Sequence, residues 1–440
     1  MNEQRHSFLK NSFITLTRQF FSVVIGVLLV VFLARFLGPE ARGEYALITF
    51  FPLLLITFLN FGFNVATIFY VSKKEVSIQT AIVTNIFVAL FLGIISIVVG
   101  YIFIHLFDTQ YGYLNKYYLY CGLLSLPFMF LFMFLQTVFQ GLQNFKMFNS
   151  VLLVQQLATL LLVVLFTILF RLKLFGAILA FSLGYVVTVV FIFFIVYRVY
   201  RITLRFSDFS FPYVKKMFNY GVKAYISNAL TFLNYRLDIF LLGHFVNPLA
   251  VGIYDVAVSV GERISIFSQS ISSVLFPKIS SVQSEEQRNK ITSTVSRNLL
   301  FFIASLSLIL YFLCDFIFNV FFGEQYVESA RLLKILLPGL ALLSVEKVLS
   351  NDLAGRGKPE VNMYVAFFNV CLNACLNIYM IPHYGAMGAA ISSTITYATS
   401  FMVKVVLYRK YTRQNYVSFL VIGKEDMNIY RNLLRKAISK

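Results

Sequence analysis

The chain has 440 residues, of which 59% are hydrophobic and only 13% are charged. Since soluble proteins carry about 25% charged residues, this composition excludes a soluble enzyme, a secreted disulfide scaffold and a disordered tail protein. The charge is also unequal, because 37 Lys and Arg against 19 Asp and Glu give a net charge of +18. The four histidines and four cysteines are scattered, so the sequence predicts neither a metal site nor a cofactor.

Long apolar segments follow one another along the chain, and many lack Asp, Glu, Lys and Arg altogether. A helix needs about 20 apolar residues to cross a bilayer, whereas a β-barrel would show alternating segments of about ten. We therefore predict an all-α polytopic membrane protein with about twelve transmembrane helices. The predicted spans are 13–37, 45–71, 79–107, 114–139, 150–170, 174–197, 221–243, 250–276, 299–322, 329–352, 362–381 and 385–408.

The distribution of Lys and Arg gives the orientation of these spans. Cytoplasmic loops of membrane proteins carry an excess of both residues. If both termini are cytoplasmic, the predicted cytoplasmic segments and their flanks hold 27 of the 37 cations. The excess of positive charge is therefore mostly an orientation signal.

A repeat at a fixed offset of 209 residues predicts two halves. Gly43-Glu44-Tyr45 opens the second span and Gly252-Ile253-Tyr254 opens the eighth. Gly176-Ala177 opens the sixth span and Gly385-Ala386 opens the twelfth. Because six is an even number, the two six-helix lobes have the same orientation and are related by a pseudo-twofold axis along the membrane normal.

Four segments follow from this repeat. They are an N-terminal lobe at 1–198, a basic cytoplasmic linker at 199–217, a C-terminal lobe at 218–408 and a cytoplasmic tail at 409–440. The linker is explained by the positive-inside rule alone, although a site for lipid phosphate is an alternative. The tail contains a short amphipathic helix that we expect to lie on the anionic inner leaflet.

A few charged residues fall inside the predicted spans, where they are costly and usually functional. Arg236 and Asp238 lie in span seven, while Glu262 and Arg263 lie near the middle of span eight; Arg18 lies near the start of span one. Ion pairs that hold spans seven and eight together would explain the second-half charges. A hydrated cationic cavity for a phosphate-bearing substrate is the other explanation, and both stay open here.

Several short motifs carry a resemblance that extends along the whole chain. The chain resembles Wzx-type polysaccharide flippases, within the multidrug/oligosaccharidyl-lipid/polysaccharide exporter superfamily. The motifs, in chain order, are Leu9-Lys10-Asn11-Ser12, Leu37-Gly38-Pro39 to Gly43-Glu44-Tyr45, Arg236-Leu237-Asp238-Ile239-Phe240-Leu241-Leu242-Gly243, Val251-Gly252-Ile253-Tyr254, Phe276-Pro277-Lys278-Ile279, Tyr384-Gly385-Ala386 and Ile422-Gly423-Lys424-Glu425-Asp426.

The resemblance implies a transporter of the bacterial inner membrane rather than an enzyme. It would move undecaprenyl-diphosphate-linked oligosaccharide units to the outer leaflet, for O-antigen, capsule or exopolysaccharide assembly. Alternating access around a cationic cavity would involve Arg236, Arg263 and Arg18 as substrate-binding residues. Asp238 and Glu262 are candidates for coupling to a proton or sodium gradient.

The implied partners are the lipid-linked oligosaccharide, membrane lipids and the polysaccharide polymerase machinery, with no nucleic acid. A membrane-embedded polymerase or ligase is the rival interpretation, but the outer loops predicted here are short. A related exporter of another lipid-linked or amphipathic substrate is a further alternative. No span of the first half holds an Asp or Glu, which disfavours the superfamily's multidrug branch.

Overall fold

The computed structural model of the chain describes residues 2–106, 112–202, 205–269, 284–423 and 426, with the isolated residues 271, 275, 279 and 282. Side chains are described from residue 18 onward, apart from 223, 224 and 227. The amphipathic tail helix predicted within 427–440 and the motif at 276–278 lie outside the described residues.

All regular structure in these described ranges is helical, which confirms the predicted all-α class. A helix satisfies its own backbone hydrogen bonds, as a segment in lipid must do. The helices are α1 (Asn2–Leu59), α2 (Phe63–Ser72), α3 (Ile78–Leu106), α4 (Lys116–Leu123), α5 (Leu126–Gly141), α6 (Phe145–Val163), α7 (Lys173–Arg198), α8 (Phe211–Phe245), α9 (Pro248–Gly261), α10 (Glu285–Phe321), α11 (Val327–Gly355), α12 (Pro359–Thr412) and α13 (Tyr416–Leu420). Short turns of other helical types lie at Val164–Leu169, Phe206–Asp208, Glu262–Ile264 and Glu324–Tyr326.

Seven helical segments in the described part of the chain are long and apolar enough to cross a membrane. α8, α9 and α11 fall on the predicted spans that contain charged residues, and are not among the seven. The total of twelve crossings therefore stays a prediction. The seven segments are Arg18–Leu59, Ile78–Leu106, Lys116–Gly141, Phe145–Leu169, Lys173–Arg198, Glu285–Phe321 and Pro359–Thr412.

Two glycines bend the two longest helices where turns were predicted. Gly38 (φ 76°, ψ 170°) divides the 58-residue α1 and precedes Pro39. Gly385 (φ 56°, ψ −135°) divides the 54-residue α12. Both conformations are accessible to glycine and costly for residues with a Cβ atom. α1 thus covers the predicted span 13–37 and the first part of 45–71, and α12 covers 362–381 and 385–408.

The second predicted span is not continuous. α1 ends at Leu59 and α2 begins at Phe63, and the backbone N–H of Gly62 donates to the Asn60 side chain at 2.8 Å. A Cβ atom added to Gly62 would lie 2.3 Å from the carbonyl oxygen of Gly221 in α8. The break is therefore a place of close backbone approach, which hydropathy alone does not reveal.

The repeated Gly-x-Tyr motif has a physical explanation in the structure. A Cβ atom on Gly43 would lie 1.7 Å from the carbonyl oxygen of Pro248, and one on Gly252 would lie 1.9 Å from that of Pro39. Neither position has room for a side chain. The two glycines that the repeat aligns are thus the residues at which two backbone segments touch.

The chain divides into two compact units. The first contains residues 1–232 and 246–252, and the second contains 233–245 and 253–440. α8 begins within the predicted linker, and its first part belongs to the first unit. The lobe limits at 198 and 218 and the pseudo-twofold axis stay predictions.

The last described segment of the second unit is tied to the start of α10. Arg297 donates to both carboxylate oxygens of Asp426, at 2.5 Å and 3.0 Å, and Asn298 donates at 3.0 Å. The backbone N–H of Gly423 donates a fourth hydrogen bond at 2.9 Å. Burial alone would raise the pKa of Asp426, but these hydrogen bonds outweigh it and lower the pKa from 3.8 to about 2. We call this arrangement the tail clip.

The tail clip predicts a pH dependence with a defined sign. Because the folded-state pKa of Asp426 is lowered, its stabilisation is present above about pH 4 and is lost as the pH falls toward 2. The chain has no tryptophan, so Tyr416→Trp provides a single fluorescent reporter on α13. Its emission should shift to the red over this pH range. When Asp426→Asn is added to the reporter, the emission should already be shifted at neutral pH, whereas adding Asp315→Asn should leave it unchanged. Equal spectra for the reporter alone and for these two double variants would contradict the tail clip.

Candidate functional site

Four of the five predicted site residues lie in the second unit. Arg236 and Asp238 are on α8, and Glu262 and Arg263 are in the turn that follows α9. Arg18 is on α1, in the first unit. The structure therefore brings together the second-half residues and places Arg18 in a separate environment.

Arg236 and Glu262 form an ion pair. The Arg236 Nη2 atom lies 3.1 Å from Glu262 Oε2, and the two side chains are 28% and 33% exposed. This contact joins α8 to the turn after α9, as the ion-pair explanation of these charges required. Arg236 is thus at least partly neutralised by its neighbour, which reduces its capacity to attract an anion.

Asp238 belongs to a different network, on another face of α8. Its carboxylate accepts hydrogen bonds from the Tyr254 hydroxyl and, at 3.2 Å, from the Ser393 hydroxyl. The backbone N–H of Ile239 donates to its other oxygen at 2.8 Å. Asp238, Tyr254 and Ser393 are all buried. The network joins three separate segments, and its burial leaves Asp238 no direct access for a large substrate.

Arg263 forms no ion pair with a carboxylate among the described residues. It is half-buried, and its Nε atom is buried without a hydrogen-bond partner. Buried donors are usually satisfied, so an unsatisfied guanidinium group is suited to an external acceptor. Phosphate oxygens match the fork of donors on arginine.

Arg18 has a similar character in the first unit. Its Nε atom is also buried without a hydrogen-bond partner in the described part of the chain. One turn later on α1, the Ser22 hydroxyl accepts from Gln156 on α6 at 2.7 Å. The amide oxygens of Gln156 and Gln136 are buried without partners. Arg18, Gln156 and Gln136 thus each have a buried polar atom with spare hydrogen-bonding capacity among the described residues.

Sequence reasoning missed a buried charge on α12. Lys404 is 1% exposed and donates to the Asn362 side chain at 2.6 Å. Its Nζ atom lies 3.5 Å from Glu346 on α11, which also accepts from Ser350 at 2.7 Å. Lys404 lies near the end of the last span and looks in the sequence like an interfacial cation. Its position in this network identifies it instead as a structural link between α11 and α12.

A ladder of amides and hydroxyls along α12 was also missed. Asn369 donates to Ser400 at 2.7 Å, Asn373 donates to Thr396 at 3.5 Å, and Asn377 donates to Asn373 at 2.8 Å. The two arms on either side of Gly385 are thereby joined by polar contacts, as is common between membrane helices. Spacings of four residues on both arms are visible in the sequence and could have predicted this ladder.

The described residues contain no group of three or more His, Cys, Asp or Glu that could hold a metal ion. Arg263 and Arg18 offer donors to an anion, while Arg236, Asp238 and Lys404 are engaged within the protein.

Family models place this chain among known proteins. The model described as "Polysaccharide biosynthesis protein" matches residues 8–283, and the MatE model matches residues 224–379. The first match covers more than half of the chain.

Three relatives illustrate the similarity. The probable low-salt glycan biosynthesis flippase Agl15 of Haloferax volcanii is 29% identical over 46% of this chain and 43% of its own length. The putative O-antigen transporter of Shigella flexneri is 22% identical over 46% of this chain and 49% of its own length. An uncharacterized membrane protein of Methanocaldococcus jannaschii is 26% identical over 91% of this chain and 97% of its own length. The chain thus spans about half of the two relatives with named functions and nearly all of the third.

Two solved structures share the architecture. The inward-facing conformation of a MATE family multidrug resistance transporter has a TM-score of 0.73 at 15% identity, covering 91% of this chain and 98% of that one. The lipid II flippase MurJ, in an inward closed conformation, also has a TM-score of 0.73, at 18% identity, covering 93% and 89%. At these identities the likeness shows the fold alone, which is the two-lobed all-α fold of these transporters.

Proposed function

The chain belongs to the polysaccharide biosynthesis protein family, and from this premise we propose that it moves undecaprenyl-diphosphate-linked oligosaccharide units across the bacterial inner membrane. Membership confirms the resemblance stated from the sequence, and it identifies a multi-pass membrane transporter of the flippase type rather than an enzyme. The units would serve the assembly of O-antigen, capsule or exopolysaccharide. The rival interpretation, a membrane-embedded polymerase or ligase, is therefore not needed to explain the sequence.

The Nε atom of Arg263, buried without a hydrogen-bond partner among the described residues, is the observation that carries the substrate proposal. A diphosphate has several oxygens that accept hydrogen bonds from arginine, and charge-assisted bonds of this kind are about twice as strong as neutral ones. Arg236, held by Glu262, would supply a weaker contact. Arg18 remains a separate candidate substrate contact, within the first unit. A neutral lipid would have no use for such cations within an apolar chain.

The proposed mechanism is alternating access through a cationic cavity, without covalent chemistry. The diphosphate enters from the inner leaflet while the polyprenyl tail remains in lipid, and a conformational change then exposes the glycan on the outer side. Outside, the polymerase machinery would use the delivered unit. Both termini would be cytoplasmic in this arrangement.

Coupling to a proton or sodium gradient would use Asp238 or Glu262. Asp238 is the better placed of the two, because its partners are neutral hydroxyls and a backbone N–H rather than a cation. A proton or cation bound at Asp238 would therefore change the net charge of the region around this side chain. Glu262 is already balanced by Arg236.

A related exporter of another amphipathic substrate is the second candidate. The MatE match over residues 224–379 and the MATE-like fold favour it. The two candidates differ in cargo, since an exporter of amphipathic cations would gain nothing from the cationic side chains of Arg263 and Arg18.

Depletion of the protein in its host provides the functional test. We expect lipid-linked oligosaccharide to accumulate on the inner face and the corresponding surface polysaccharide to fall. Impermeant glycan labelling of intact cells and of opened vesicles distinguishes the two faces. A normal level of lipid-linked glycan at the outer face after depletion would contradict the proposed cargo, and re-expression of the protein should restore the normal distribution.

A further inference from the structure

The basic segment between α7 and α8 is not a loose tether. The Gln79 side chain donates to Asp208 at 2.6 Å, and the backbone N–H of Ser210 donates to the Thr84 hydroxyl at 3.2 Å. Ile202 is buried as well. All of these residues lie in the first unit. The segment therefore has a fixed place beside the first turns of α3.

Contacts between aromatic side chains indicate how deep this segment lies relative to the membrane surface. The ring centroid of Phe87 on α3 lies 5.2 Å from that of Phe206 and 5.7 Å from that of Phe209. Phe87 is nine residues into a helix of 29 residues, which is about 43 Å long at 1.5 Å per residue. Since the hydrocarbon is only about 30 Å thick, α3 is long enough for its first turns to lie outside it. Phe206 and Phe211 are 73% and 70% exposed, as expected for rings that enter the interface.

Exposed cations accompany these rings. Arg198, Arg201 and Arg205 are all exposed. In the described part of the chain, no carboxylate forms an ion pair with any of them. The neighbouring acid, Asp208, is engaged by Gln79. Arg205 thus directly precedes the exposed ring of Phe206 on the part of the segment that packs against α3, while Arg198 and Arg201 are exposed at the end of α7 and just after it.

We propose that the described parts of this segment, residues 198–202 and 205–211, bind the phosphate headgroups of anionic phospholipids in the leaflet that borders them. The positive-inside rule, which orients the spans in the membrane, requires only the cations of this segment. It explains neither the packing of the segment on α3 nor its exposed aromatic rings. In a typical interfacial lipid site, apolar side chains enter the boundary between headgroups and acyl chains, and cationic side chains lie at the level of the phosphates. The proposal is independent of the cargo.

Lipid binding to the detergent-purified full chain tests this proposal. Phosphatidylglycerol or phosphatidylcholine is added, and bound lipids are counted by native mass spectrometry. Wild type should retain phosphatidylglycerol in preference to phosphatidylcholine. The triple variant Arg198→Gln/Arg201→Gln/Arg205→Gln should bind phosphatidylglycerol at least about tenfold more weakly, because each cation near an anionic surface contributes to attraction.

A matched triple variant, Arg171→Gln/Lys173→Gln/Arg331→Gln, removes three exposed cations elsewhere and should retain wild-type binding. Phe206→Ser/Phe211→Ser keeps every charge and should weaken binding, which keeps the proposal testable if the first triple variant does not insert correctly. Equal affinity of wild type for the two lipids would overturn the proposal. An equal loss of phosphatidylglycerol binding in both triple variants would overturn it as well, and so would unchanged binding in the variant Arg198→Gln/Arg201→Gln/Arg205→Gln.

Discussion

Asp238→Leu should lower the thermal unfolding midpoint of the purified protein by about 5 °C or more. The substitution removes the acceptor for the buried hydroxyls of Tyr254 and Ser393. The two hydroxyls lie 3.2 Å apart and can still bond each other, so one hydroxyl donor loses its acceptor, and a buried polar group left without a partner costs about 1–3 kcal/mol. Asp238→Asn keeps one carbonyl oxygen as an acceptor, so its effect should be smaller.

Unfolding in detergent, followed by circular dichroism, measures this effect. The control is Asp315→Asn, whose carboxylate is 63% exposed in its pair with Lys334; exposed pairs contribute little, so the midpoint should be unchanged. An Asp238→Leu midpoint equal to wild type would show that the network does not stabilise the fold. Gradient-dependent transport that is intact in Asp238→Asn would instead remove Asp238 as the coupling residue.

Arg263→Ala should slow transport by about tenfold to a hundredfold. A hydrogen bond to a charged group is worth about 1.5–3 kcal/mol, and Arg263 offers its guanidinium group without an internal partner. Because no internal ion pair is broken, the unfolding midpoint should change little. Arg236→Ala should behave in the opposite way, losing stability since Glu262 would be left uncompensated.

Transport by equal amounts of each variant, measured in cells depleted of the native protein, separates these outcomes. Arg331→Ala removes an exposed cation of the same unit and should transport normally. Arg263→Lys should be intermediate, since it keeps the charge and loses the fork of donors. Transport by Arg263→Ala at the wild-type rate would remove this residue from the substrate site.

The sequence was most informative where one local property decides the structure. Hydropathy and length identify the apolar helices, because a segment in lipid must satisfy its backbone hydrogen bonds and a single apolar segment of this length does so as a helix. The turns at Gly38 and Gly385 follow from the conformational freedom of glycine. The repeat picked out Gly43 and Gly252, although only the structure shows that these two glycines lie at a backbone contact.

The partners of the charged residues could not be derived in the same way. Asp238 and Ser393 are 155 residues apart in the chain, and no periodicity connects them. The sequence left open whether Arg236 paired or lined a cavity, and the contact with Glu262 depends on how α8 lies against the turn after α9. The break at Gly62 has its cause in Gly221, which belongs to a distant helix. These features depend on packing, which one sequence does not encode in a readable pattern.

Flipping by the purified protein in vesicles tests the central claim most directly. Undecaprenyl-diphosphate-linked oligosaccharide is placed in one leaflet, and its arrival in the other is followed with an impermeant lectin. We predict rapid arrival with the wild-type protein and arrival at least about tenfold slower with Arg263→Ala. Arrival at the rate of protein-free vesicles in the wild-type sample would contradict the proposal that this chain is a flippase for such lipids.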